Sequence, residues 1–258
     1  MNMLLARFLS PEEAMRTIIF VPAFLVSWQL TKRDPRHALW MVAFLLSPQV
    51  VKNHIIHLRQ GVALSVFVLG YFAESKAARY TLMAAACLIH SSFFFICIIG
   101  VAVWFLAIAR FSPRAQVAVL LVSFATAGAF IEFFLGGLSA LAGEFGARQA
   151  FTYADADLDI SGIGFVFWSL IFLLFAFSQE EFVAKSAFAI SILAFYLAAY
   201  FFTPVAGRIF ESGMFLVFLA GLALAPVQRL AFLSAFILLA CVQYYLRLGE
   251  PWLGFGIW

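Results

Sequence analysis

The stretch YTLMAAACLIHSSFFFICIIGVAVWFLAIA, residues 80–109, decides how this chain folds. It is apolar all round except at His90-Ser91-Ser92, near its middle. A helix crosses the hydrocarbon core of a bilayer with about 20 apolar residues, so the run is too long for one simple crossing. An imidazole in the middle of such a crossing is also expensive in lipid. Two short helices meeting at the polar triplet resolve both problems, with a break or re-entrant turn near His90. A barrel strand is excluded, because barrel strands alternate polar and apolar residues.

The rest of the chain agrees with this reading. Of its 258 residues, 65% are hydrophobic, 18% aromatic and only 11% charged. Soluble domains carry roughly 25% charged residues. A mean hydropathy of +1.03 leaves no room for a large soluble domain. The expected fold class is therefore all-α, a polytopic transmembrane helical bundle in the lipid bilayer. No repeat, low-complexity tract or linker divides it, so residues 1–258 read as a single transmembrane domain. Cys87, Cys97 and Cys241 all lie in apolar runs. They have neither metal-ligand spacing nor the pattern of a disulfide framework, and read as small buried hydrophobes. The opening MNMLLARFLSPEEAMR has an apolar stretch too short for a cleavable signal, followed by acids.

Apolar segments fall at 15–30, 38–51, 58–72, 80–109, 115–135, 163–177, 182–202, 213–226 and 229–246. Val21-Pro22 and Ser47-Pro48 predict kinks or early ends, since proline removes a helix donor. The loops TKRDPRH (31–37), ESKAARY (74–80), RFSPR (110–114) and PVQR (226–229), together with Lys185, all carry cations. With a break at His90 they fall on one side, which the positive-inside rule assigns to the cytoplasm. About ten helical segments result. Lys52, Arg59, Arg148, Arg208 and Arg247 are then left on or near the outer face, with His54, His57 and His90 at the same level. The long loop at about 136–162 is also outside, and carries the acids Asp155, Asp157 and Asp159.

Several of these residues are candidates for chemistry. Arg59 sits beside His57 and Gln60 and just before Gly61, which permits close approach of a backbone or ligand. Its guanidinium fork suits a phosphate; its plain alternative is snorkelling to the headgroups. His90 is a natural proton acceptor near neutrality, and its plain alternative is a hydrogen bond to Ser91 or a carbonyl. Arg208, in TPVAGRIFESGMF, reads as part of an outer-face turn leading into a span, with Glu211 as an i,i+3 neighbour. Arg148 and Tyr153 are candidates for sugar recognition in the long outer loop. The acidic run begins like a calcium loop, but Ile160 and Val166 occupy the positions that need glycine and glutamate. No metal is assigned. With no phosphate-binding glycine motif, HExxH or nucleophile elbow, no cofactor and no nucleic-acid partner are expected.

The order HLRQGVALSVFVLGYF, then ESKAARY, then an apolar run into LIHSSFFF resembles the signature stretch of the EpsG/Wzy-type family of bacterial O-antigen and exopolysaccharide polymerases. Arg59, Gln60, Ala63, His90 and Ser92 fall on its Arg-Gln and His-x-Ser positions. Arg208 and Phe210 fall on a later arginine followed by an aromatic. The match covers roughly residues 50–100. Family members usually place more spans before the Arg-Gln motif than this chain does. The resemblance implies a metal-independent membrane glycosyltransferase of polysaccharide biosynthesis in the bacterial inner membrane. Its substrate would be a polyprenyl-diphosphate-linked oligosaccharide, polymerised at the outer leaflet with undecaprenyl diphosphate leaving. His90, Arg59 and Arg208 would be catalytic, and the topology read from the basic loops would let them converge on one outward-open cavity. Gln60, His57, Ser92, Arg148 and Tyr153 would bind substrate. A chain-length regulator protein is a candidate partner. The competing readings are a flippase of the same lipid-linked oligosaccharide, a related ligase-type glycosyltransferase and a non-catalytic assembly subunit.

Overall fold

A computed structural model describes residues 7–144, 162–202 and 205–250, with backbone only at 130–144 and 205. Among them are eleven α-helices and no strand. They are α1 Pro11–Arg33, α2 Ala38–Leu45, α3 Pro48–Ile55, α4 Leu58–Tyr71, α5 Lys76–Ile89, α6 Ser92–Ile108, α7 Pro113–Glu144, α8 Ile163–Ala176, α9 Glu180–Ala199, α10 Val205–Leu222 and α11 Pro226–Leu246. Three of these, α1, α9 and α11, are long and apolar enough to cross a membrane. Shorter apolar helices occupy Leu58–Tyr71, Ser92–Ile108, Pro113–Ala129 and Ile163–Ala176.

Two compact units emerge, one taking Met1–Cys97 and Leu230–Trp258, the other Ile98–Arg229. In the first, α1 begins at a capping box. Ser10 Oγ accepts from the Glu13 amide at 3.3 Å while the Glu13 carboxylate accepts from the Ser10 amide at 2.9 Å. Pro11 follows at the position where a missing N–H costs nothing. Of the two outcomes expected at Pro22, a kink or an early end, the early end does not occur; Pro22 is buried inside the helix. A proline removes one donor, and the helical ladder continues on both sides of it. Ser47-Pro48 does break the chain. Ser47 is extended (φ −62°, ψ 144°) and Pro48 opens α3, as the steric restriction on a pre-proline residue requires.

The α4–α5 pair is a tight antiparallel hairpin. A Cβ on Gly70 would lie 2.9 Å from Leu82 Cβ and 3.1 Å from both Arg79 O and Met83 N. Only a glycine lets the two helices come this close. The turn is clasped by cations. Arg33 donates to Phe72 O at 2.5 Å with its guanidinium 5.1 Å from the Phe72 ring centroid, and Arg79 donates to Ala73 O at 2.9 Å.

The expected break at His90 is present. His90 is extended (φ −149°, ψ 125°) between α5 and α6. The chain then folds back, because Phe93 meets Phe67 at 5.1 Å between centroids and Cys97 Sγ lies 3.6 Å from Cys87 Sγ. The apolar run 80–109 is thus two helices rather than one.

The second unit is organised on α9, which packs against α7, α8 and α10. Its α6 end closes with Arg110 in the left-handed region (φ 59°). Arg110 N bonds Ala107 O at 3.1 Å and Phe111 N bonds Leu106 O at 3.2 Å, the paired bonds of a Schellman cap. Arg114 donates to Ser178 O at 3.1 Å and Arg229 to Leu222 O at 3.4 Å. Helix α7 runs to Glu144, so the first residues of the expected outer loop are helical; residues 145–161 lie outside the described residues. Arg208 is likewise not on a turn, but is the fourth residue of α10. The turn reading leaned on Gly207, yet that glycine lies within the helix.

Candidate functional site

The polar corner forms where α3 meets α4. A Cβ on Gly61 would stand 2.8 Å from Asn53 O, 3.0 Å from His54 Nδ1 and 3.2 Å from His54 Cα. Gly61 therefore lets the backbone of α4 rest on α3. That contact buries three polar side chains together in a chain whose core is mostly hydrocarbon. Gln60 and Asn53 are each 1% exposed and His54 6%. Arg59 remains exposed at the surface of the corner, and His57, the residue preceding α4, is half-buried.

Three of the buried side chains are unusual. Asn53 Oδ1, both ring nitrogens of His54 and Ser47 Oγ have no hydrogen-bond partner among the described residues. Each such group costs about 1–3 kcal/mol when buried unpaired, and buried polar atoms ordinarily have a protein or water partner. Burial pushes the His54 imidazole down to about 4 from its ordinary 6.5, so at neutral pH the ring is uncharged. It then offers one donor and one acceptor to whatever enters the corner. His54 and Asn53 were not among the site residues expected from sequence. Their one signal was position, a polar pair a short step before Arg-Gln-Gly, and burial cannot be read from position alone.

His90 and Ser92 come together as expected. His90 Nδ1 is 2.7 Å from Ser92 Oγ and accepts from the Ser92 amide at 3.3 Å. Ser92 is 3% exposed and His90 half-buried. A backbone amide can only donate, so this geometry makes Nδ1 an acceptor and puts the proton of the neutral ring on Nε2. In that tautomer the ring caps the start of α6 and presents an N–H donor. Acting as a base at Nε2 requires the proton to move to Nδ1, where Ser92 Oγ is placed to accept it.

Arg59 and His90 lie at the same end of the α4–α5 hairpin. Counting equal steps from the Gly70–Leu82/Met83 crossing sets His90 level with residues 62–63, about one helical turn from Arg59. Arg208 belongs to the other unit, exposed on α10, with its carbonyl accepting from Ser212 Oγ at 3.0 Å. Phe210, two residues on, is core: its ring lies 4.6 Å from Trp168 and 4.5 Å from Tyr196. Arg148 and Tyr153 lie outside the described residues. No protein-family model matches the chain, and neither does any curated protein or solved structure.

Proposed function

We propose that this protein is a multi-pass membrane polysaccharide polymerase of the bacterial inner membrane. In this reading it transfers glycan from a polyprenyl-diphosphate-linked donor to a lipid-linked acceptor at the outer leaflet. The observation that carries the reading is the shared end of the α4–α5 hairpin. There an exposed arginine, a buried polar corner and a serine-bound histidine stand about one turn apart in level. A diphosphate leaving group needs a cation, and Arg59 supplies a bidentate one. The acceptor hydroxyl must lose a proton as its oxygen bonds the anomeric carbon and the carbon–diphosphate bond breaks. His90 takes that proton at Nε2 while Ser92 accepts from Nδ1–H.

The test is reconstitution of the full chain in vesicles with lipid-linked repeat units. Glycans longer than the input are expected. Relocation of unchanged substrate across the bilayer would make the protein a flippase, and a single addition to a different acceptor would make it a ligase. Arg59→Lys, which keeps the charge and loses the fork, is expected to lower polymerisation at least tenfold while the protein inserts normally. Full activity in that variant removes Arg59 from the site.

A further inference from the structure

Read from sequence, the cysteines have no partner; folded, two of them meet. Cys87 lies on α5 three residues before His90, and Cys97 lies on α6 five residues after Ser92. Their sulfurs stand 3.6 Å apart as free, half-buried thiols. Disulfide formation needs about 2.05 Å, so closure asks for roughly 1.5 Å of approach, within reach of side-chain rotation and slight helix movement. The backbone between them is already folded into the required loop, with the Phe67–Phe93 contact holding the returning arm.

We propose that Cys87 and Cys97 are a redox modification site, forming a reversible disulfide that ties α5 to α6 beneath the His90 turn. The electron acceptor is a small or protein disulfide. One cysteine thiolate attacks an acceptor sulfur and expels a thiolate. The second cysteine thiolate then attacks the mixed disulfide at the protein sulfur and expels the other. Two electrons pass from the cysteine pair to the acceptor, which leaves as two thiols carrying the two protons. The linkage spans both sides of the extended His90 residue, so oxidation restrains the arms whose junction positions the imidazole. This inference stands on the sulfur geometry and does not depend on the polymerase reading.

The test uses the full chain in detergent, in a Cys241→Ser background that removes the exposed third thiol. The probe is 4,4′-dithiodipyridine, a small apolar disulfide. The expected result is release of two thiopyridones per chain, with a final mass lower than the reduced protein by two hydrogen atoms. A linked Cys87–Cys97 peptide should follow on digestion, and dithiothreitol should restore both thiols. Cys87→Ser and Cys97→Ser should each release one thiopyridone and retain one pyridylthio group. A chain that retains two pyridylthio groups overturns the proposal. So does one whose thiols stay unreacted while the denatured chain reacts fully, or one whose cross-links join two chains.

Discussion

Acidification should loosen the α3–α4 corner through His54. This residue lies in short α3, outside the apolar helices, and burial holds its ring down to about 4. In the unfolded chain the same ring titrates near 6.5. Above that value neither state binds the proton and His54 contributes no pH dependence. Between 6.5 and 4 the unfolded state binds a proton that the folded state refuses, so stability falls as pH falls. Below about 4 both states are protonated and the loss levels off. The displacement of about 2.5 units at 1.36 kcal/mol each amounts to about 3 kcal/mol in full, with about 1.4 kcal/mol gone by pH 5.5. Carboxylates also titrate in this window, so the informative quantity is wild type minus His54→Leu. Reversible unfolding in mixed detergent micelles, followed by far-UV circular dichroism at pH 7, 5.5 and 4, gives that difference. It should widen toward acid in the mutant's favour by these amounts. At pH 7 His54→Leu should be neutral or stabilising, because it removes two buried nitrogens that lack partners. A difference that stays flat across pH would refute the assignment. A loss above about 1 kcal/mol at pH 7 would show that water or a ligand satisfies those nitrogens.

Four further outcomes follow, three of them from local geometry. Gly70→Ala should cost about 1–3 kcal/mol of overpacking, partly offset by helix propensity. Gly207→Ala, whose Cβ meets nothing within 4 Å, should be neutral or slightly stabilising in the same unfolding assay. Arg110→Gly should stabilise by about 1 kcal/mol, because glycine adopts the left-handed cap without the penalty an arginine carries; an unchanged midpoint would mean that contacts of the arginine offset that strain. His90→Ala should leave donor binding in place and cut turnover about 10²–10⁴-fold, measured as chain extension against binding of a labelled lipid-linked donor. Joint loss of binding and turnover would mark His90 as a structural cap.

The parts of the fold that could be read from sequence are those where one residue type overrides its surroundings. His90 inside an apolar run and proline after Ser47 each predict a boundary, and both boundaries are present. Pro22 left a kink or an early end open, and the early end does not occur because the cost of one missing donor is local and the helix continues through it. The end of α7 misled because Gly136-Gly137 and the polar sequence beyond residue 144 were read together as one loop; the helix runs through the glycines to Glu144. At the site, Arg59, Gln60, His90 and Ser92 were legible as polar residues out of place. His54 and Asn53 were not, since their distinction is the contact made by Gly61, a residue with no side chain to announce it. The placement of Arg208 on a turn leaned on a glycine read as a turn signal, and Gly207 sits inside α10.

Among the described residues, arginines close several helix ends: Arg33 and Arg79 at the end of α4, Arg114 at the end of α8 and Arg229 at the end of α10. Each donates to a carbonyl left over where a helix stops, the end that also attracts positive charge. These same cations make up much of the charge bias from which an orientation in the bilayer is read. In a chain oriented by the positive-inside rule, the signal that directs insertion and the clamp that completes folding would be the same side chains. Removing an arginine to invert the topology would also unfasten a turn, and the two effects would look alike in an expression assay. Arg→Lys substitutions separate them, since lysine keeps the charge that sets orientation but gives up the planar fork. A turn weakened by Arg→Lys with orientation intact would show that the clamp is distinct from the address.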